Sequence, residues 1–214
     1  MKNDISKENI LKKIREGLKT SQFKDDFISD YKNDEIFNTS EKSLVEIFGE
    51  ELNKINGEFY YCENEEELIK NLQKLNTEKS LAKLFSPDKD LSIFLEKSGI
   101  SYISEFVDSE NINSALSACE FLVARFGSVT VSSAQAGSRK IFSFPPIHLV
   151  IAYESQLVLE LDDAIDGVFK KYENNLPSQI TNITGPSRTA DIEKTLILGA
   201  HGPKELIVLL LKGK

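Results

Sequence analysis

Titratable and polar side chains crowd into one stretch near the end of the chain, GPSRTADIEKTLILGAHGPKELIVLLL, from Gly185 to Leu211. Ser187, Arg188, Thr189, Asp191 and Glu193 follow a Gly-Pro turn, and His201 sits in a second turn closed by Gly202 and Pro203. A strand that gives way to a helix N-terminus near Ser187 or Thr189 leaves several backbone N–H groups unpaired at one point. Those donors, with the helix dipole, favour an anion. Arg188 can add a bidentate contact to carboxylate or phosphate, and His201 can act as acid, base or anion donor near neutral pH. The predicted anion site therefore comprises Gly185, Ser187, Arg188, Thr189, Asp191, His201 and Gly202, with Glu193, His148 and Arg139 as additional candidates.

The same residue types also serve plain structure. Ser187 or Thr189 can cap a helix, Asp191 can complement its dipole, and Arg188 can pair with Asp191 or Glu193. His201 can be held by turn backbone, and His148, in FPPIHLVIA, can be a satisfied strand residue. A triad of Ser187, His201 and Asp191 is not expected, because no Gly-x-Ser-x-Gly elbow presents the serine.

A frame must hold these residues, and the spacing of apolar positions describes it. ISKENILKKIREGLKT is an amphipathic helix with Ser6 as its cap and Ile10, Leu11, Ile14 and Leu18 on one face. A polar arm with scattered aromatics follows. From residue 40 the period becomes regular: a helix begins at Ser40 and ends before Gly57, where a left-handed residue is needed. EFYYC, SLAKLF and ISYIS read as strands, separated by the helices NEEELIKNLQKL, with Asn64 and Glu67 in capping-box spacing, and SPDKDLSIFLEKSG, which opens at Pro87 and stops at Gly99. Then come two strands joined around Phe126-Gly127, the strand PPIHLVIA, the helix ELDDAIDGVFKKYENN, and the strands QITNIT and ELIVLLL. Strands alternating with helices imply crossovers and a mostly parallel sheet. Residues 1–39 are expected as an N-terminal helix and arm, and residues 40–214 as one α/β domain.

The chain of 214 residues carries a net charge of −8, which argues against general nucleic-acid binding, because phosphate contacts need clustered Lys and Arg. Its two cysteines, Cys62 and Cys119, stand far apart in apolar runs and form neither a disulfide framework nor a Cys-x-x-Cys box. A reduced, cytoplasmic setting is expected. No segment approaches the roughly 20 apolar residues that span a bilayer, and the first residues lack the apolar core of a signal peptide.

Taken together, GPSRTADIEKTLILGAHGPKEL, PPIHLVIAYESQLV and FLVARFGSVTV resemble the lactate-utilisation (LUD) domain, most closely the lactate-utilisation protein C family. The carboxy-terminal half carries the resemblance, and the other half agrees in the order of its elements. It implies a layered α/β fold similar to the glucosamine-phosphate isomerase, ribose-phosphate isomerase and CoA-transferase group, whose members bind small carboxylates or phosphates. It also implies a part in oxidising L-lactate to pyruvate beside iron–sulfur partner proteins. Two isolated cysteines cannot hold a four-cysteine cluster, so the redox centre is expected in a partner and no cofactor in this chain. One departure stands out: where the family usually carries Glu-Thr-Gly-Ser/Thr, this chain reads Arg125-Phe126-Gly127-Ser128. If that glutamate works as a catalytic or ligand group, this chain has lost it. Two other readings stay open: a non-catalytic interaction module, which the aromatic arm from Phe23 to Phe37 favours, and a stand-alone enzyme on a small phosphorylated or CoA-linked acid. A homo-oligomer is compatible with all three.

Overall fold

Helical spacing of apolar residues starts with the chain, and α1 spans Lys2–Thr20 in the computed structural model, which describes residues 2–20, 41–81, 83–105, 112–135, 139–173, 175–189 and 197–213. The chain forms two compact units, Met1–Glu41 and Lys42–Lys214. In the first, α1 exposes Ile10, Leu11 and Ile14. Ser6 lies inside this helix rather than at its cap, since the helix begins four residues earlier. The expected arm, including Phe23 and Phe37, falls outside the described residues.

The second unit opens with α2 (Leu44–Lys54), whose cap is Ser43. Ser43 Oγ accepts from the Glu46 amide, and the Glu46 carboxylate accepts the Ser43 N–H at 2.9 Å, closing a reciprocal box that stabilises the first turn. The cap is thus three residues later than expected, and the left-handed residue after the helix is Asn56 (φ 64°) rather than Gly57. Next come β1 (Glu58–Cys62), α3 (Glu65–Lys79), β2 (Leu84–Phe85), α4 (Lys89–Ser98) and β3 (Tyr102–Ile103). Asn64 caps α3 and Asp88 caps α4, which ends at the left-handed Gly99 as expected. β2 is shorter than SLAKLF suggests, because Ser80 and Lys83 adopt left-handed backbone (φ 51° and 60°) that no strand can continue through.

β4 (Ser114–Ser117), β5 (Phe121–Val123), β6 (Ser128–Ser132), β7 (Ile147–Tyr153), β8 (Leu157–Val158), α5 (Leu161–Tyr172), β9 (Ile180–Ile183), β10 (Arg188–Thr189), β11 (Ile197–Leu198) and β12 (Glu205–Leu211) complete the unit. Six strands make a parallel sheet in the order β1-β12-β7-β4-β2-β3. Its central strands are apolar on both faces, as a fully covered parallel sheet demands. Val150, Ala152, Val208 and Leu210 join one core, and Leu149, Ile151, Ile207 and Leu209 the other. The second core is closed by the apolar stripes of α3 and α4. The first is closed by α2 and by a separate four-stranded sheet, β8-β5-β6-β9, which is antiparallel except at β5-β8. That second sheet is what the tight pairing around Phe126-Gly127 grows into.

Between β4 and β5 stands Glu120, a carboxylate with no exposed side-chain area. It accepts from Ser132 Oγ at 2.6 Å, Tyr172 Oη at 2.8 Å and Lys171 Nζ at 2.7 Å, which ties α5 to the second sheet. Removing the lysine leaves a buried charge with hydroxyl partners alone. Because Lys171 is itself half exposed, Lys171→Ala is expected to cost about 2 kcal/mol, below the usual figure for breaking a buried pair. A urea midpoint equal to wild type would show that the two hydroxyls suffice.

Candidate functional site

The Gly-Pro turn after β9 leads into extended chain as far as Thr189, the last described residue before 197. Arg188 and Thr189 are extended and pair antiparallel with Leu198 and Ile197 in the two-stranded ladder β10-β11. The Ser187 N–H donates to Pro203 O at 2.8 Å, and Ser187 O accepts from Gly199 at 2.9 Å. The Ser187 amide is therefore used within the fold. Arg188 is exposed and its guanidinium donates to the carbonyl of Ile55, just past α2. Asp191 and Glu193 lie outside the described residues.

What the folding does bring together is a groove of about 220 Å³, lined by Arg139, Phe142, Ser143, Gln179, Thr181, Ile183, Gly185, Ser187, His201, Gly202 and Pro203. Five of the expected residues meet there: Gly185, Ser187, His201, Gly202 and Arg139. Three stretches of chain position them. Phe142 and Ser143 precede β7, His201 to Pro203 precede β12, and Thr181 and Ile183 come from β9 in the second sheet. The groove thus opens between the two sheets, at the amino ends of β7 and β12. The carbonyl of Pro146 binds the first two turns together, accepting from the Lys204 and Glu205 amides at 2.7 and 3.1 Å.

Gly185 is required by geometry. Its φ is 79°, and a Cβ there would lie 2.8 Å from the Ile55 carbonyl oxygen. Gly202 packs against Ser187, where a Cβ would come within 3.2 Å of the serine Cβ. Arg139 is exposed, and one of its nitrogens donates to Ser178 Oγ at 2.7 Å, which leaves further donors of the planar fork for a guest. Among the described residues no lining side chain is acidic, in a protein whose net charge is −8. Among those same residues the one formally charged lining group is the Arg139 guanidinium. His201 is exposed and also lines the groove.

The lining residues that sequence reading passed over carried a weak signal. Gln179, Thr181 and Ile183 are spaced by two, which places them on one face of a strand. His148 is not in the lining. It is fully buried on β7, Nε2 lies 2.8 Å from Ser117 Oγ, and burial holds its imidazole down at about 4, against an ordinary 6.5. Arg125, at the departure noted above, also lies away from the groove. Its Nε reaches both Glu160 oxygens, at 2.6 and 2.7 Å, so the cation is held by the residue that caps α5.

The LUD-domain family model matches residues 45–211. The chain belongs to the LUD-domain family. The match runs from the first turn of α2 to the end of β12, and so includes the six-stranded and four-stranded sheets and the groove between them. This LUD domain is 31% identical over 108 residues to lactate utilization protein C of Bacillus subtilis, across 50% of this chain and 45% of that protein. It is 36% identical over 101 residues to an uncharacterized protein of Neisseria meningitidis serogroup B, across 47% of this chain and 43% of that one. The chain spans about half the length of the curated relatives it matches. A crystal structure of a DUF162 family protein from Deinococcus radiodurans superposes with a TM-score of 0.61 at 15% identity, covering 81% of this chain and 99% of that one. That likeness establishes the layered α/β fold with its mostly parallel central sheet. Among the described residues, no helix is long and apolar enough to cross a membrane.

Proposed function

We propose that this LUD domain is the ligand-binding part of a lactate-oxidising system, holding a small carboxylate in the groove while electrons pass to iron–sulfur proteins. The observation that carries this reading is the lining itself: one guanidinium, an imidazole, hydroxyls of Ser143, Thr181 and Ser187, and no acid among the described residues. Relatives bearing the name lactate utilization protein C supply the pathway. The chain's two thiols support an external redox centre. Cys62 and Cys119 are both buried, in the cores on opposite sides of the parallel sheet, and two separated thiols cannot ligate a cluster.

Within the groove, Arg139 is the anchor for the carboxylate and His201 a second donor, in place of Arg188. Arg139→Ala should weaken the binding of L-lactate or pyruvate by about 10- to 150-fold, the worth of a charge-assisted contact of about 1.5–3 kcal/mol. Arg188→Ala should leave affinity unchanged, since that side chain is turned to Ile55. Calorimetric titration of both variants separates the two. Equal affinity in wild type and Arg139→Ala would remove the groove from consideration. For the pathway, a deletion strain complemented with Arg139→Ala should grow poorly on lactate. Full growth without the gene would refute the lactate assignment.

A further inference from the structure

His148 carries a fully buried nitrogen that meets no hydrogen-bond partner among the described residues. Nδ1 has no hydrogen bond among the described residues, while Nε2 is occupied by Ser117 Oγ. Its neighbours in register on the flanking strands are Ala115 and Leu206, which offer no polar side chain. Buried polar groups are almost always satisfied in native proteins, so an orphaned one marks a place where a water or a ligand group belongs. Phe142 stands next to it, ring centre 5.9 Å from the imidazole and tilted by 51°. Phe142 is also a lining residue of the groove. One aromatic ring therefore belongs both to the groove wall and to the packing around the imidazole.

We infer that Phe142 closes an inner compartment of the groove, floored by His148 and Ser117, which accepts one neutral hydroxyl or carbonyl of a ligand whose anionic end stays outside at Arg139. This rests on the anion groove proposed above and names its ligand class: short hydroxy or oxo acids. The inner group is neutral because an anion taken to a site of zero exposure would need a cation beside it, and burial keeps this imidazole uncharged. A neutral imidazole has one donor and one acceptor nitrogen, so Nδ1 can serve a carbonyl or a hydroxyl according to tautomer. Arg139 and Phe142 are the two ends of one 3₁₀ turn, Arg139–Phe142. An acid gripped by the guanidinium thereby acts on the same turn that carries the closing ring.

The chain has two histidines, which makes diethylpyrocarbonate a direct probe. The exposed His201 is the internal standard and should react promptly in every variant. His148 should react slowly in wild type and at least tenfold faster in Phe142→Ala, with circular dichroism confirming that the variant is folded. If Phe142→Ala does not fold, Phe142→Leu makes the same comparison with a smaller acceleration. Equal His148 rates in folded wild type and folded variant overturn the compartment. A second arm titrates L-lactate against propionate, which differs by the absent hydroxyl. Wild type should favour L-lactate about tenfold or more, as sites built to pair a hydroxyl do, and His148→Leu should bring the ratio near one. Both acids binding wild type equally overturns the compartment and leaves the outer anion site standing. Neither acid binding overturns the outer site, and the reactivity comparison then decides on the compartment alone.

Discussion

Gly127→Ala should lower the unfolding free energy by about 3–4 kcal/mol, the sum of an overpacked contact and a left-handed alanine. Gly127 forms the turn between β5 and β6 with φ 57°, and a Cβ there would lie 2.2 Å from the Leu52 backbone nitrogen and 2.5 Å from the Glu51 carbonyl carbon. Those atoms belong to α2 and cannot swing aside as a side-chain tip can. Relief requires parting the hairpin from the helix, and Phe48 and Leu52 of that helix are fully buried in the core it helps to close. Gly99 supplies the control, since it has φ 70° and a Cβ there would meet nothing within 4 Å among the described residues. Gly99→Ala should cost only about 1 kcal/mol, the conformational part alone. Urea midpoints at constant slope measure both. Equal losses at the two positions would mean that the hairpin is not seated on α2 as described.

Acid should weaken the fold through His148. Its imidazole titrates at about 4 in the folded chain and near 6.5 when unfolded. Between those values the unfolded chain binds a proton that the native one refuses, so stability falls as pH falls. The contribution is intact above pH 6.5 and lost as pH drops through 4. The loss should be about 2 kcal/mol near pH 5 and approach roughly 3 kcal/mol below pH 4. Carboxylates titrate in the lower part of this window, so the comparison is with His148→Gln, which cannot take up the proton. The wild-type curve should be steeper between about pH 7 and pH 5. Parallel curves would show that water reaches the imidazole and that its burial is relieved in solution.

Most of the architecture was legible from period alone. The alternation of helices with short apolar runs pointed to the parallel sheet, because a strand covered on both faces cannot show a polar side and its crossover must be helical. Helices α3 and α5 lie where their apolar stripes place them and Asn64 caps α3, whereas α4 begins at Lys89 behind the cap Asp88, so Pro87 precedes the helix instead of standing in its first turn. Ends were harder to read. Ser40 and Ser43 are equally good caps in isolation, and Ser43 is favoured by Glu46, which returns the bond. Asn56 rather than Gly57 takes the left-handed position, a conformation that asparagine tolerates among non-glycine residues. The separate second sheet escaped notice, since nothing in a strand's own residues says which sheet it joins.

The groove shows the same division. Composition and spacing were enough to single out the region around Gly185, Ser187, His201 and Gly202, because glycine-rich turns beside a buried strand and a histidine are local facts. They also placed Arg188 in the site, since an arginine after a turn looks available to an anion. The groove lining does not include Arg188: its guanidinium donates to the Ile55 carbonyl, far away in the chain, and residues 188–189 pair with 197–198 in a short ladder. Arg139 and Phe142 entered the groove from another part of the chain, and Gln179 and Thr181 from the strand region just before Gly185. Periodicity and turn chemistry are carried by neighbours in the chain, so a sequence states them outright. Which carbonyl a guanidinium meets, and which nitrogen is left without a partner, depend on contacts between residues far apart in the chain, and only packing settles those.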